Sequence, residues 1–122
     1  MVKKVLLVDD SSTSRLMSRA LFADQKSYEL VSACDGKEGV EVALQRKPDL
    51  ILMDVEMPRM TGIEACRALR EHAVTRNTPI VMLTMRGEDQ TVKKGFDSGC
   101  NEYLVKPLNE AVLVAVLKKY LG

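Results

Sequence analysis

Lys47-Pro48-Asp49-Leu50-Ile51-Leu52-Met53-Asp54-Val55-Glu56-Met57-Pro58 is the stretch whose reading decides the fold. Leu50 to Met53 is an uninterrupted apolar run of strand length. A strand with no polar alternation is buried on both faces, as in a parallel sheet covered by helices. The run ends in a carboxylate, Asp54. Met57-Pro58 cannot continue the strand, and Thr61-Gly62 can start a helix. Open α/β sheets place their ligands at the carboxyl ends of such strands, so Asp54 is the candidate chemical centre.

The same pattern recurs on either side. Val5 to Val8 is a short β-branched run ended by Asp9-Asp10, and Ser11 and Ser12 are candidate N-caps for a helix around Arg15 to Ala23. Glu29 to Ala33 predicts a second strand. Asp35-Gly36-Lys37-Glu38 has the spacing of a capping box and opens a helix with Val40, Ala43 and Leu44 inward. Thr61-Gly62-Ile63-Glu64 repeats that signal, with Ala65 and Leu69 at helical period. Ile80 to Leu83 predicts a fourth strand ended by Thr84, then a loop from Met85 to Asp89 and a weak helix from Gln90 to Ser98. Asn101 to Val105 predicts a fifth strand ended by Lys106-Pro107. Asn109 caps a last helix that turns Val112, Leu113, Val116 and Leu117 to the core.

Strands alternating with helices require crossover connections, which are right-handed and make the strands parallel. The expected fold is α/β, a doubly wound five-stranded parallel sheet of order 2-1-3-4-5 with five helices, forming one domain over residues 1–122. In that order the switch point falls between strands 1 and 3. Asp9 and Asp10 then stand beside Asp54, and Thr84 and Lys106 arrive from strands 4 and 5.

Composition narrows the class. A chain of 122 residues with 46% apolar and 29% charged residues can bury a core without help from disulfides. A net charge of +1 gives no argument for nucleic-acid or membrane binding. Cys34, Cys66 and Cys100 are odd in number and far apart, which fits reduced, mostly buried thiols in a cytoplasmic protein. No apolar run approaches the ~20 residues of a membrane span.

Carboxylates crowded at adjacent strand ends need a compensating cation. Hard oxygen ligands with an incomplete protein shell suit Mg²⁺, which takes one or two carboxylates together with a phosphate oxygen. With charge compensated, Asp54 can act as a nucleophile toward phosphorus and form an aspartyl phosphate. Lys106 is a mobile point charge able to pair with Asp54 before transfer and with a phosphoryl oxygen after it, and Thr84 offers a hydroxyl to another. Singly, each residue also has a plain reading: Asp9-Asp10 as a strand-end turn, Asp54 as a turn aspartate, Lys106 as a surface lysine, Tyr103 as a packing residue. Their joint occurrence at four strand ends favours the chemistry.

Together these stretches resemble the receiver domain of two-component response regulators, especially stand-alone chemotaxis-type, CheY-like receivers with the flavodoxin-like sheet. The resemblance runs from Val5 to Leu121. It rests on Val8-Asp9-Asp10-Ser11, Met53-Asp54-Val55-Glu56-Met57-Pro58-Arg59-Met60-Thr61-Gly62, Leu83-Thr84 and Tyr103-Leu104-Val105-Lys106-Pro107. It implies Asp54 as phosphoacceptor and Asp10, Asp54 and the Glu56 backbone carbonyl as Mg²⁺ ligands, with Asp9 acting through a metal-bound water. It further implies Thr84 and Tyr103 as the switch pair, Lys106 as the phosphoryl-binding lysine, and a cis Lys106–Pro107 bond.

The implied function is a phosphorylation-activated signalling switch rather than an enzyme. A histidine kinase is the phosphodonor, and a downstream protein binds the face of helix 4, strand 5 and helix 5, about Gln90 to Tyr120. Neither nucleic acid nor membrane is an expected partner, and a monomer or weak dimer is expected. The last predicted helix ends at the end of the sequence, so output through protein contact is expected; a receiver segment of a longer regulator or hybrid kinase is the alternative. A hydrolase of the haloacid dehalogenase type also uses Asp, Thr, Lys and Mg²⁺. It wants a second Asp where Glu56 stands, and the chain has no cap domain. A binding module that has lost phosphorylation conflicts with the complete set Asp10, Asp54, Thr84 and Lys106. Three residues are individual to this chain: Glu56, Met85 and Arg86. Met85 is expected to narrow access or hinder the inward movement of Tyr103, and Glu56 and Arg86 to pair across the mouth of the site and alter the phosphoryl lifetime.

Overall fold

The computed structural model describes every residue except Met1, Asp24, Arg86, Gly87, Glu88 and Pro107, and the side chains of Asp89, Gln90 and Thr91 are likewise outside the described set. Five strands alternate with five helices: β1 (Lys3–Val8), α1 (Ser12–Phe22), β2 (Tyr28–Ala33), α2 (Gly36–Arg46), β3 (Leu50–Asp54), α3 (Gly62–Glu71), β4 (Ile80–Thr84), α4 (Asp89–Asp97), β5 (Glu102–Val105) and α5 (Glu110–Leu121). All pairings are parallel and the order is β2-β1-β3-β4-β5, as the alternation predicts.

Every residue of β3 and β4 is buried, which is why neither shows polar alternation. The strand period of two divides their side chains between two cores. Leu6, Val8, Ile51, Met53 and Met82 face α2 and α3, meeting Ala43, Ala65, Cys66 and Leu69. Val5, Leu7, Leu50, Leu52, Val81 and Leu83 face the other way, onto Phe22 of α1 and Leu113, Val116 and Leu117 of α5. Met53, Met57 and Met82 are core residues, as are Cys66 and Cys100; Cys34 is exposed.

The caps set the helices against the strand ends. Ser11, Asp35, Thr61 and Asn109 each accept the backbone N–H three residues on. Thr61 and Glu64 form the full reciprocal box. At α2 the return arm differs from the expected box: Glu38 Oε1 accepts from the Cys34 N–H, one residue before the cap. α1 begins at Ser12, three residues before the apolar periodicity that marked it, because the Ser11 cap fixes the first turn. Gly62 explains the Thr-Gly start of α3. Its N–H donates to the Val55 carbonyl (2.9 Å), and a Cβ there would run into the Asp54 carbonyl oxygen. The helix thus abuts the end of β3 at closest approach.

At the opposite end of β4 and β5, Arg70 of α3 gathers five oxygens. Its Nε donates to Gly99 O (2.9 Å), Nη1 to the carbonyls of Thr75 (3.0 Å), Arg76 (3.1 Å) and Thr78 (2.7 Å), and Nη2 to Asn101 Oδ1 (2.8 Å). The loop before β4 is thereby tied to the start of β5. No helix among the described residues is long and apolar enough to cross a membrane.

Candidate functional site

Val8 pairs with Met53 and Asp54 with Leu83, so the carboxyl ends of the three central strands finish side by side. Asp9, Asp10 and Asp54 each present a carboxylate oxygen there, and these oxygens lie within 4.8 Å of one another. Strand alternation separates the two neighbours: Asp9 is buried and Asp10 exposed. Asp9 is fully engaged. Its Oδ1 accepts from the Ser11 N–H (3.0 Å), its Oδ2 from Lys106 Nζ (2.9 Å), and its carbonyl from Arg15 Nη1 (2.6 Å). The Asp10 carboxylate has no hydrogen bond among the described residues, which leaves its oxygens available.

Lys106 comes from the end of β5, where its N–H donates to the Thr84 carbonyl (2.7 Å). Its ammonium reaches Asp9 Oδ2 (2.9 Å), Asp54 Oδ2 (3.3 Å) and Ser14 Oγ (3.3 Å). The Ser14 contact has no counterpart in the sequence reading; Ser14 lies 92 residues from Lys106 and carries no motif of its own.

Electrostatics follow from this packing. Burial pushes the Asp54 carboxyl up to about 6, helped by the charge of Asp9 and opposed by Lys106. Burial also works against ionised Asp9, but bonds from Ser14, Lys106 and the Ser11 N–H outweigh it and hold Asp9 below the usual range. Burial pulls Lys106 down, and its bonds to Asp9 and attraction to Asp54 overcome that and raise it. One ammonium therefore leaves Asp54 short of compensating charge. An exposed carboxylate beside two buried ones, all hard oxygen donors, fits a small divalent cation that keeps part of its water shell.

Thr84 and Tyr103, the pair that the resemblance implies as a switch, also converge. Thr84 is fully buried, and its hydroxyl makes a long contact to Glu56 Oε1 (3.5 Å). Glu56 is exposed, and its N–H donates to Asp54 Oδ1 (3.2 Å). Tyr103 is half-buried, with its ring so close to α4 that a Cβ at Gly95 would collide with it. Its hydroxyl is buried, lacks a well-formed hydrogen bond among the described residues, and titrates above its ordinary value through burial, with Thr84 pulling the other way. The tyrosine is thus turned inward, next to Thr84. Met85 is 69% exposed and lines a largely apolar pocket with Met17, Leu83, Lys106 and Leu108. It walls that pocket beside Lys106 and projects to solvent. Arg86, the expected partner of Glu56, and the Lys106–Pro107 bond lie outside the described residues.

A doubly wound parallel sheet with three carboxylates, a lysine and a threonine at its switch point is of the flavodoxin-like class, with an acidic cluster that could hold a cation. The chain belongs to the response regulator receiver domain family, whose pattern matches residues 5–118. It is 36% identical over 121 residues to the transcriptional regulatory protein SrrA of Staphylococcus aureus, covering 99% of this chain and 48% of that protein. The chain thus spans about half the length of the curated relatives it matches.

Among solved structures, the chemotaxis protein CheY4 of Vibrio cholerae superposes with a TM-score of 0.92 at 37% identity, covering 99% of this chain and 100% of that one. The receiver domain of the sensor histidine kinase PA1611 of Pseudomonas aeruginosa, crystallised with a magnesium ion in its active-site cleft, gives 0.91 at 29% identity, covering 100% and 99%. Receiver domains are phosphorylation-activated switches of two-component systems, not enzymes in general; they take phosphoryl groups from histidine kinases and contact downstream targets.

Proposed function

We propose that Asp54 is the phosphoacceptor of this receiver, that Asp10, Asp54 and the Glu56 carbonyl hold Mg²⁺, with Asp9 acting through a metal-bound water, and that Lys106 and Thr84 receive the phosphoryl oxygens. The observation that carries the reading is the Lys106 ammonium set between Asp9 and Asp54, within the three-carboxylate cluster. An Asp54 oxygen forms the new bond to phosphorus as the bond from phosphorus to the donor imidazole breaks, and the imidazole leaves as the neutral base once protonated. Mg²⁺, when bound, supplies positive charge to the anionic carboxylates and phosphoryl oxygens. Lys106 then exchanges a carboxylate oxygen for a phosphoryl oxygen, a move its flexible stem permits. Thr84 turns its hydroxyl to the phosphoryl group, and Tyr103, already inward, is retained there; population shift toward that state is the signal.

The output surface in this reading is the face of α4, β5 and α5. Phe96 and Val105 stand 48% and 55% exposed on it, among exposed Lys93, Lys94, Lys118 and Lys119. The donor is a histidine kinase, the target a protein in the cytoplasm, and the receiver a monomer or weak dimer that does not itself bind nucleic acid or membrane. Glu56 and Met85 tune access and lifetime, together with Arg86. Intact-mass measurement after treatment with acetyl phosphate and Mg²⁺ tests the central step. Wild type gains one phosphoryl group and Asp54→Ala none; an adduct on both, or on neither, overturns the reading.

A further inference from the structure

We infer that Ser14 is a positioning residue for Lys106, holding one ammonium N–H while the lysine's two carboxylate partners change theirs. The inference rests on the reading of Asp54 as phosphoacceptor. A lysine ammonium has three N–H donors and no acceptor. In this site each donor has one oxygen: Asp9 Oδ2, Asp54 Oδ2 and Ser14 Oγ. The first two belong to groups whose charge is redistributed when a cation binds and when Asp54 is esterified. The third is a neutral hydroxyl that neither step consumes.

Ser14 is itself held in register with the site. Its N–H donates to the cap oxygen of Ser11 (3.2 Å), the Ser11 N–H donates to Asp9 Oδ1 (3.0 Å), and Arg15 Nη1 bonds the Asp9 carbonyl (2.6 Å). The first turn of α1 is thus fastened to Asp9 at successive points. On its outer side Ser14 borders the pocket of about 360 Å³ walled by Met17, Leu83, Met85 and Leu108. Lys106 borders the same pocket, and its ammonium bonds the Ser14 hydroxyl. Without it, the third N–H turns to water and the four-carbon stem is freer to leave the line of transfer.

Two measurements on the intact chain test this. In lysine-¹⁵N spectra, the ammonium resonance assigned by its loss in Lys106→Arg is expected to be protected from solvent exchange in wild type, broadened or lost in Ser14→Ala, and retained in Ser14→Thr. The rate of phosphorylation by acetyl phosphate is expected to fall 3- to 10-fold in Ser14→Ala and to recover in Ser14→Thr, with the amide spectra of both variants native. Ser14→Ala leaving both readouts unchanged overturns the inference. So does Ser14→Thr failing as Ser14→Ala does, or a wild-type ammonium that exchanges freely. A wild-type chain that takes no phosphoryl group breaks the phosphoacceptor reading instead, and the ammonium resonance then decides the Ser14 contact by itself.

Discussion

Two cations stand at opposite ends of the β4–β5 side of the sheet, each ringed by oxygen, and they do different work. At the carboxyl ends, Lys106 faces two carboxylates and a hydroxyl. At the amino ends, Arg70 faces neutral oxygens only: the carbonyls of Gly99, Thr75, Arg76 and Thr78 and the Asn101 amide oxygen. The guanidinium is a planar fork whose directions are fixed, so several acceptors must sit where it points. The ammonium is a point charge on a flexible stem and can exchange partners. Arg70 therefore makes a lock between two loops, and Lys106 a contact that can be redirected. In the proposed function, charge-changing chemistry falls at the Lys106 end of the sheet, away from the Arg70 lock.

Exchanging the cations breaks the comparison most directly. Arg70→Lys keeps the charge but cannot reach five oxygens at once. With net hydrogen-bond contributions of about 1 kcal/mol each, a loss of about 3 kcal/mol is expected, read as a lower urea midpoint with unchanged slope. Lys106→Arg, in the same assay, is expected to stay within about 1 kcal/mol of wild type, because the charge between Asp9 and Asp54 is preserved. Equal losses in both variants would erase the distinction between lock and switch.

Asp54→Asn sharpens it from the acidic side. The Asp54 carboxyl sits at about 6 in the fold against 3.8 as its ordinary value, so between those pH values the folded state binds more protons than the unfolded one. Stability is then lost as pH rises from about 4 to 6, and the full penalty, roughly 2–3 kcal/mol, persists above 6. Asp54→Asn is expected to be more stable than wild type by about that amount at pH 7.5 and equal to it near pH 4, by urea titration at the two pH values. The lowered Asp9 works in the opposite sense, its contribution fading as pH falls, and is common to both proteins.

The smallest effect concerns the cation. Mg²⁺ at about tenfold its Kd is expected to stabilise wild type by roughly 1.4 kcal/mol at pH 7.5. The protection should be less at pH 5.5, where protons compete for Asp54, and much weaker in Asp54→Asn. A thermal shift independent of pH would place the ion elsewhere.

Much of the site was legible because it is carried by local grammar. An apolar run ended by a charge marks a buried strand and its tip, and Asp9, Asp10, Asp54, Thr84 and Lys106 all stand at or just beyond such tips. The roles of Ser14 and Arg70 were not legible. Ser14 reads as one more polar residue in the first turn of a helix, and Arg70 as an exposed helical arginine. Their partners lie far away in the chain, at Lys106 for one and at Gly99 and Asn101 for the other. The difference between buried Asp9 and exposed Asp10 likewise needs the packed sheet, since two adjacent aspartates are equivalent on paper.

What the sequence by itself determined was the order of elements, the parallel sheet and the strand tips at which the candidate residues gather. Those follow from periodicity and capping, which act over a few residues. What only the tertiary structure decided was which oxygens each cation touches, how far Asp54 is desolvated, and that Tyr103 already lies inward against Gly95. Those depend on distances between elements remote in the chain, and electrostatic energy in a partly buried site changes steeply with such distances.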